Sequence, residues 1–528
     1  MVKSEIDAAA EAPKRRFRFP GAVATLAIVT VLVWLAALFI APGVYLTDAD
    51  GTPIPGTYTR IESPLTPAER VQQLILAPVN GVYGLRSPNT EVVDTEIVGR
   101  LFGQIGIIVF IMAIGAFISV SFATRALEVA VASLAHRLRD KGWLLIASVM
   151  VLFSALGSTM GFSVETLGFY ALFLPLMKAL GYDRLVTASM IILGALVGVM
   201  AATVNPFSIG VAANEAGVSL GEGIGLRVLL WVALSAMAVG WVLRYAARVR
   251  RDPASSLLGP EAADEGADGG SDEASPPQAA EDATQAHLTG AQKWVLAITA
   301  VAFGLMIVSV IPWSAVLGGR AAPADYYGTH EVAGVEPFWF ELSWWFPELS
   351  MLFILASVLV GFVARMGEKE TVRLIAAGAS DMMGPAMVVL LAGGVSAIMN
   401  NTQTMGTILH SMEQLVSGAS AGAFILLTVL LNVPLAMLIP SSSGHGALAM
   451  PLLAPLADFA EVSRATTITA WNMGHGLALM FSPTSVVLVG GLAIAKVGYE
   501  KYLRFAWPFL LALFVVSTAI IGAVASFQ

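Results

Sequence analysis

Two ten-residue stretches decide the fold: PLMKALGYDR at residues 175–184 and PLADFAEVSR at residues 455–464, which share their leading prolines and closing arginines. A hydroxyl-rich break in an apolar run precedes each copy, Gly157-Ser158-Thr159 in the first case and Ser441-Ser442-Ser443 in the second. A second polar break that contains proline follows each copy, at Asn205-Pro206 and at Ser482-Pro483. Paired interruptions of apolar segments at matching positions of two halves are typical of the binding site of a secondary transporter. Transport is therefore the leading hypothesis.

The composition is that of an integral membrane protein. Of the 528 residues, 57% are hydrophobic and only 12% are charged, against roughly 25% charged residues in a soluble domain. Residues 252–290 hold nine Asp and Glu and no Lys or Arg, so their removal would change the net charge from -8 to +1. This acidic segment cannot bury a core and is predicted to be a disordered cytoplasmic linker. The nearly neutral membrane body implies no nucleic-acid partner, and the absence of cysteine excludes disulfides and thiol ligands.

The apolar runs predict the topology. Runs long enough to cross a bilayer begin near residues 21, 102, 185, 224, 292, 348, 382, 466 and 505. Two further runs are about 40 residues long with a polar middle and no charged loop, which favours re-entrant hairpins over pairs of complete spans. With the N-terminus in the cytoplasm, 22 of the 29 Lys and Arg lie on the cytoplasmic side, in line with the positive-inside rule. The first hairpin then enters from the cytoplasm and the second from outside, so the repeats are inverted.

The predicted fold class is an all-α polytopic membrane protein, an inverted-repeat transporter with two re-entrant hairpins and two broken transmembrane helices. Its predicted segments are a cytoplasmic tail (1–20), a first membrane half (21–251) with hairpin 142–181 and broken helix 185–212, the linker (252–290), and a second membrane half (291–528) with hairpin 421–464 and broken helix 466–497. The segments that begin at Thr124 and Thr407 have amphipathic spacing and precede the two hairpins. They predict in-plane helices, which either connect a stationary part to a moving part or anchor the chain at the interface.

Hydroxyl and amide side chains crowd the four breaks, where helix ends leave backbone N–H and C=O groups unpaired. Helix N-termini attract anionic groups, whereas unwound carbonyls coordinate sodium or protons. The residues predicted to bind substrate are Ser158, Thr159, Asn205, Ser441, Ser442, Ser443 and Thr484. The alternative for each hydroxyl is that it only caps a broken helix.

Ionisable and polar side chains near the breaks are candidates for ion coupling. Glu165 is the only acid within the first hairpin, and His445 and His475 lie close to the second pair of breaks. Ionisable groups at membrane depth are costly and point to function, and histidine titrates near neutral pH. We predict that Glu165, Asn205, Ser482, His445 and His475 take part in coupling to Na⁺ or H⁺, with no cofactor and no bound metal other than Na⁺. A structural acid and neutral, hydrogen-bonded histidines are the alternatives.

An intramembrane hydrolase is the alternative from another class, because Ser443 with His445 or His475 could supply a nucleophile and a base. The stretch SSSGHG lacks a third orienting group, and the chain has no HExxH motif and no nucleotide-binding glycine loop. A hydrolase also needs no second copy of its site, and a membrane scaffold has no use for polar breaks at membrane depth. The sequence therefore predicts a transporter rather than an enzyme.

Two long stretches resemble the YfcC-like transporters, relatives of the C4-dicarboxylate anaerobic carriers within the ion transporter superfamily. They are GYDRLVTASMIILGALVGVMAATVNPFSIGVAANEAGVSLGEGIGLR from Gly181 and IPSSSGHGALAMPLLAPLADFAEVSR from Ile439, and GTPIPGTYTRIESP from Gly51 is similar to the family's extracytoplasmic loop. The resemblance covers nearly all of the chain except the tail and the linker. It implies an inverted-repeat fold, a homodimer in the lipid bilayer, hairpin tips that form the substrate and ion sites, and elevator movement.

Departures from the family pattern bear on the substrate. Family members usually carry an acid near the position of His475, a pair of acids around Glu165 and no histidine at the position of His445. Fewer carboxylates and two histidines suit an anionic ligand better than a cationic one. We therefore expect a multi-pass carrier of small polar organic solutes in the cell membrane, with carboxylates as the first choice. An arginine/ornithine-like amino-acid carrier or exchanger is the alternative within transport.

Overall fold

The computed structural model describes residues 22–46, 53–63, 65–83, 104–138, 140–259, 288–317, 338–342, 344–416 and 419–527. The predicted tail (1–20) and residues 260–287 of the predicted linker lie outside the described residues. The regular structure of the described chain is helical apart from one small antiparallel sheet, in which β1 (Gly43–Val44) pairs with β2 (Thr59–Arg60).

The first part of the chain forms nine α-helices. They are α1 (Ala22–Phe39), α2 (Pro67–Tyr83), α3 (Ile105–Ala123), α4 (Ala126–Arg137), α5 (Gly142–Met160), α6 (Tyr170–Ala179), α7 (Arg184–Met200), α8 (Val211–Ala216) and α9 (Ile224–Arg251) among the described residues. A 3₁₀ helix (Val164–Phe169) connects α5 to α6, a π-helix (Pro206–Gly210) leads into α8, and a 3₁₀ turn (Pro253–Ser255) follows α9. The predicted hairpin at 142–181 thus contains α5, the first 3₁₀ helix and α6, and the predicted broken helix at 185–212 contains α7, the π-helix and the start of α8.

The second part forms eleven α-helices in the described residues. They are α10 (Gly290–Val310), α11 (Trp313–Leu317), α12 (Phe346–Val363), α13 (Glu368–Asp381), α14 (Met383–Asn401), α15 (Thr404–Val416), α16 (Ala421–Leu438), α17 (Ser442–Phe459), α18 (Arg464–Leu479), α19 (Val486–Ile494) and α20 (Tyr499–Ala525). The predicted hairpin at 421–464 contains α16 and α17. The predicted broken helix at 466–497 contains α18 and α19, which residues 480–485 separate.

Eight helices in the described part of the chain are long and apolar enough to cross a membrane: α3, α5, α9, α10, α12, α14, α16 and α20. Two shorter apolar helices, at Val23–Phe39 and Arg184–Met200, add to this set. The protein is therefore an all-helical, multi-pass membrane protein, as the sequence predicts. The first arms of both predicted hairpins, α5 and α16, belong to the eight, so helix length alone would also allow them to cross.

Local sequence signals explain where the central helices start and stop. The side chain of Asp183 caps α7 by accepting a hydrogen bond from the backbone N–H of Val186 at 2.7 Å, and Ser463 caps α18 in the same way. Proline cannot donate a backbone hydrogen bond, so Pro206 cannot continue the hydrogen-bond pattern of α7. The two caps therefore fix where α7 and α18 begin, and Pro206 marks the break that follows α7.

The two parts of the chain pack in a corresponding way. In the first part α5, α7 and α9 contact one another, and in the second part α16, α18 and α20 do the same. The sets meet through α7 against α18 and α9 against α20. Around them, α3 packs on α12 and α13, and α14 packs on α1 and α2. Nearly every residue of α7 and of α18 is buried, which places these two helices at the centre of the protein.

Candidate functional site

The tip of the first predicted hairpin is bonded to the break that follows α7. Ser158 is buried, its Oγ donates to the carbonyl of Ala201 at 3.0 Å, and it accepts from the backbone N–H of Thr203 at 3.0 Å. Gly161 ends α5 with a left-handed φ of 73°, and a Cβ at this position would lie 2.9 Å from Asn205 Oδ1. Only glycine therefore fits this approach without strain. The hairpin tip and the break form one hydrogen-bonded unit.

Other candidates of the first half have more local partners. Asn205 is buried and its Oδ1 accepts from the backbone N–H of Phe207 at 2.9 Å, which caps the π-helix. The hydroxyl of Thr159 donates to the carbonyl of Ala155 in its own helix at 2.8 Å. Glu165 is exposed and accepts from the backbone N–H of Ser163 at 3.0 Å. All three bonds are local, because each partner lies two to four residues away.

The second half repeats the arrangement with different atoms. Ser441 caps α17, and its hydroxyl lies 3.2 Å from that of buried Ser443, whereas half-buried Ser442 begins the helix. Buried Ser482 lies 2.7 Å from the hydroxyl of Thr484. Thr484 in turn donates to the carbonyl of Met437 near the end of α16 at 3.0 Å. A hydroxyl again joins the hairpin to the break of its own central helix.

The two units meet in the protein interior. The π-helix contacts α5 of the first hairpin, α17 of the second hairpin, and α18. The 3₁₀ helix of the first hairpin likewise contacts α19, the second piece of the second broken helix. Buried Asn472 on α18 donates from Nδ2 to the carbonyls of Val199 and Met200, at 3.0 Å and 2.7 Å, where α7 ends. The structure therefore brings elements of all four breaks into contact, and Asn472 is a central residue that the sequence analysis missed.

His445 and His475 are hydrogen-bonded to each other. Their Nδ1 atoms lie 2.9 Å apart, and the two side chains are 1% and 0% exposed. The ring of Trp471 stacks on His475 at 5.8 Å between centroids and meets His445 edge-on at 5.5 Å. Because His445 lies on α17 and His475 on α18, this bond joins the second hairpin to the second broken helix. It also argues against a serine–histidine pair, since the Nδ1 of His445 is directed to His475 and Ser443 is paired with Ser441.

A bidentate ion pair links α17 of the second hairpin to the start of α18. Arg464, the closing arginine of the second repeat, contacts Asp458 at 2.6 Å. Its Nη1 also donates to the carbonyl of Ala216 at the end of α8 at 2.9 Å. The base of one predicted hairpin is thus bonded to the other half of the molecule.

A second polar cluster, here called the loop clamp, fastens β1 and β2 to α15. Tyr45 donates to the carboxylate of Glu413 at 2.7 Å, and the backbone N–H of Gly56 donates to the other oxygen at 2.8 Å. Tyr58 stacks on His410 with ring centroids 4.2 Å apart and lies 2.9 Å from the hydroxyl of Thr407. The sequence predicts a helix here, but the partner loop more than 340 residues away leaves no local signal.

A helical membrane protein with two corresponding sets of helices, each built around a central helix with a polar break, is a secondary transporter and not an enzyme. The chain matches the family of C4-dicarboxylate anaerobic carriers over residues 19–525 and belongs to that family. This confirms the resemblance found in the sequence.

Relatives and solved structures are consistent with the family. An uncharacterized protein of Haemophilus influenzae is 27% identical over 479 residues, which cover 89% of this chain and 80% of the relative. The YfcC protein of Escherichia coli, whose name proposes a basic amino acid antiporter, is 26% identical over 435 residues, covering 80% and 78%. The YdaH transporter of Alcanivorax borkumensis has a similar fold, with a TM-score of 0.66 at 16% identity, covering 96% of this chain and 99% of that chain. Neisseria gonorrhoeae MtrF, from a class of antimetabolite efflux pumps, gives a TM-score of 0.61 at 15% identity, covering 95% and 94%.

Proposed function

We propose that this protein carries small carboxylates across the cell membrane by secondary active transport coupled to Na⁺ or H⁺. In this proposal the two hairpins are re-entrant, the two halves are inverted repeats, and the N-terminus is cytoplasmic. The substrate binds where the π-helix meets both hairpins. We expect the predicted substrate residues on the two tips and in the two breaks to surround this point.

The chemistry of the breaks supports an anionic substrate. The helices α17 and α19 both begin at a break, and a helix N-terminus favours negative charge. Five buried atoms on the contacting π-helix, α17 and α18 have no hydrogen-bond partner within the described part of the chain: Ser208 Oγ, His445 Nε2, Trp471 Nε1, Asn472 Oδ1 and His475 Nε2. Most of them can donate to a carboxylate oxygen. The four breaks themselves contain no acid, and Glu165 beyond the first break is exposed, so a guanidinium would find no carboxylate partner within the breaks.

The packing supports an elevator mechanism in which one body moves against another. The hairpins and central helices form the corresponding inner sets, whereas α3 and α14 pack outside them on α12, α13, α1 and α2. Both α4 and α15 lie in the chain between an outer helix and a hairpin. In the proposal they connect the moving inner sets to a stationary outer part, and the outer part forms the interface of a homodimer.

Transport of a basic amino acid is the second candidate function. The name proposed for the Escherichia coli relative favours it, and a family fold can serve ligands of either charge. The chemistry of the breaks favours the carboxylate. Both candidate functions predict counterflow, in which labelled substrate outside a vesicle exchanges with unlabelled substrate inside it.

Counterflow in proteoliposomes separates the two candidates. Vesicles loaded with succinate, lactate, arginine or ornithine receive a trace of the same radiolabelled solute outside, under a Na⁺ gradient, a pH gradient or neither. We expect accumulation with a carboxylate and none with arginine or ornithine. Ser443→Ala is expected to weaken this uptake, whereas Ser309→Ala changes a buried serine that is bonded within α10 and is expected to leave it intact. Uptake of arginine alone would transfer the proposal to the amino-acid candidate.

A further inference from the structure

The pair formed by His445 and His475 has features that a structural hydrogen bond does not require. Both rings are buried, and their Nδ1 atoms lie 2.9 Å apart, so one ring donates its N–H to the bare nitrogen of the other. The Nε2 atom of each ring has no partner among the described residues. His445 also lies in the first turn of α17, where its backbone N–H donates to the carbonyl of Ser441 at 2.9 Å. The pair is thus joined directly to the tip of the second hairpin.

We propose that His445 and His475 together form a binding site for one proton, and that this proton is the coupling ion. The inference rests on the proposed function, because coupling has meaning only in a transporter. It extends that function by choosing H⁺ over Na⁺ and by assigning both residues to a single site. It also fixes the stoichiometry at one proton per pair.

The geometry defines how the proton enters and leaves. In the neutral pair, the ring that donates from Nδ1 has a bare Nε2, and the other ring carries its hydrogen on Nε2. A proton from solvent or from a substrate carboxyl adds to the bare Nε2 and makes that ring an imidazolium. Transfer of the Nδ1 proton across the 2.9 Å bond moves the charge to the second ring, which can then release its Nε2 proton. One proton has entered, one has left, and each ring has changed its tautomer.

The same geometry excludes a second proton. If both rings were charged, two N–H groups would point at each other across the 2.9 Å gap between the Nδ1 atoms. Two positive charges would also lie side by side in a buried site, where like charges disfavour one another strongly. The pair therefore alternates between zero and one positive charge.

The surroundings of the pair leave the charge to be balanced by the substrate. The titratable residues on the elements packed against α17 and α18 are Glu215, His410, Glu413, Arg184, Tyr499, Glu500, Lys501, Tyr502 and Arg504, together with Asp458 and Arg464 on the two helices themselves. Among the described residues, no carboxylate is hydrogen-bonded to either ring, because each Nδ1 is bonded to the other ring and each Nε2 has no partner. Asp458 and Arg464 neutralise each other in an ion pair. A carboxylate bound at the serine tip would thus be the counter-ion of the protonated pair, so proton and substrate bind together and move in the same direction.

Nitrogen NMR tests the proton site without any substrate. Protein with ¹⁵N-labelled histidine is placed in lipid nanodiscs, and the ring nitrogens are followed between about pH 5 and 8. We expect a coupling between the two Nδ1 nuclei across the hydrogen bond and a single titration that changes both rings. In His445→Gln and His475→Gln the cross-bond coupling is lost, and the remaining ring titrates alone. Two independent titrations in the unmodified protein, or none in this range, would overturn the proposal.

Transport in proteoliposomes tests the coupling. Succinate is the probe. Its accumulation is measured under a pH gradient and under a Na⁺ gradient, and its counterflow is measured separately with no ion gradient. We expect the pH gradient to drive accumulation in the unmodified protein. In His445→Gln and His475→Gln, accumulation driven by the pH gradient should fall at least tenfold, and an unchanged melting temperature in detergent shows that the variants are folded. His136→Gln changes an exposed histidine on α4 and serves as the control.

The outcomes separate the inference from the proposed function. Accumulation that follows the pH gradient in both pair variants, or follows only the Na⁺ gradient in the unmodified protein, would refute the proton site and leave carboxylate transport standing. Absence of succinate and lactate counterflow in the unmodified protein would refute carboxylate transport. The NMR titration would still decide whether the pair binds a proton.

Discussion

Ser158 and Thr159 are adjacent hydroxyls with different hydrogen-bond partners. Ser158 reaches Ala201, 43 residues away, whereas Thr159 bonds to Ala155 in the preceding turn of its own helix. The sequence could place hydroxyls at the break, because the apolar run is interrupted there. It could not rank the two residues, because the ranking depends on a contact that only the folded chain makes.

Replacement of Ser158 by alanine should destabilise the protein. The change removes a donor from the buried carbonyl of Ala201, and such a loss costs about 1–3 kcal/mol. We expect a lower melting temperature in detergent and weaker transport. The control is Thr299→Val, which removes a hydroxyl bonded to Val295 within α10 and should change little. Equal melting temperatures for Ser158→Ala and the unmodified protein would show that the link between hairpin and break is not stabilising.

Two helical glycines should respond to alanine with opposite signs. A Cβ on Gly476 would lie 2.4 Å from the Cα of Met200, so α18 and α7 would have to separate where Asn472 bonds to the end of α7. A Cβ on Gly240 would meet nothing within 4 Å, and alanine there gains about 1 kcal/mol of helix propensity. We therefore expect thermal unfolding to show loss of stability for Gly476→Ala and a small gain for Gly240→Ala. A neutral Gly476→Ala would contradict the close crossing of the two central helices.

At the scale of elements, the loop clamp shows what the sequence could and could not predict. The amphipathic segment from Thr407 predicts a helix, and the structure has α15 at Thr404–Val416. Its partners Tyr45 and Tyr58 lie in another part of the chain, and neither motif nor periodicity connects them to Glu413. Tyr45 also packs against Phe459 at the end of α17, with ring centroids 5.4 Å apart. The clamp therefore contacts both α15 and the second hairpin.

Loss of the carboxylate of Glu413 should release the loop from α15. Glu413→Gln keeps the size of the side chain but replaces the charged acceptor of the hydrogen bonds from Tyr45 and Gly56, and bonds to charged groups are the stronger ones. We expect faster hydrogen exchange of backbone amides in residues 53–60. Glu370→Gln is the matched control, since it removes a carboxylate from an exposed ion pair with Arg373 on α13. Equal exchange in both variants would argue against a clamp.

The same carboxylate predicts a pH dependence. Burial alone would raise the pKa of Glu413, but the hydrogen bonds from Tyr45, Gly56 and His410 together outweigh it and hold the pKa below its usual value of 4.5. A lowered pKa in the folded state gives stability that is present above the unfolded pKa and is lost as the pH falls through the folded pKa. We therefore expect protection of residues 53–60, corrected for intrinsic exchange, to hold from neutral pH to about 4.5 and to fall below it. Glu413→Gln should not show this acid-induced loss.

At the scale of the whole molecule, the duplicated stretches predicted two corresponding halves, and the helix contacts correspond in the same way. The two halves could be predicted from the sequence because polar breaks stand out against long apolar runs. The contacts between the halves could not be predicted. Arg464 illustrates the difference, because its repeat position was visible in the sequence whereas its bond to Ala216 of the other half was not.

Deletion of residues 260–285 should leave transport nearly unchanged. The segment is acidic and has no large apolar residue, so we expect it to act only as a tether between the halves. The preceding residues are anchored separately, since Ser256 donates to Asp183 and Lys501 donates to the carbonyl of Leu258. Succinate counterflow is the measurement, and a Gly/Ser segment of equal length is the control for chain reach. Lost transport at normal membrane expression in both forms would reveal a regulatory element in place of a tether.

The last prediction concerns the sign of the ligand charge, which depends on the whole set of charges that the two halves bring together. In His475→Asp a buried imidazole that can become positive is replaced by an acid beside the serine tip. At a separation of about 6 Å and an effective dielectric constant of about 20, each unit of charge changes the binding energy of a carboxylate by about 3 kcal/mol. We therefore expect succinate or lactate binding to weaken at least tenfold in His475→Asp, with normal folding by size-exclusion chromatography, whereas His136→Asp on exposed α4 should bind as before. Arginine should not bind to the unmodified protein, because the four breaks offer no buried carboxylate. Tight arginine binding with no measurable carboxylate binding would refute the anionic substrate while leaving the membership of the transporter family unchanged.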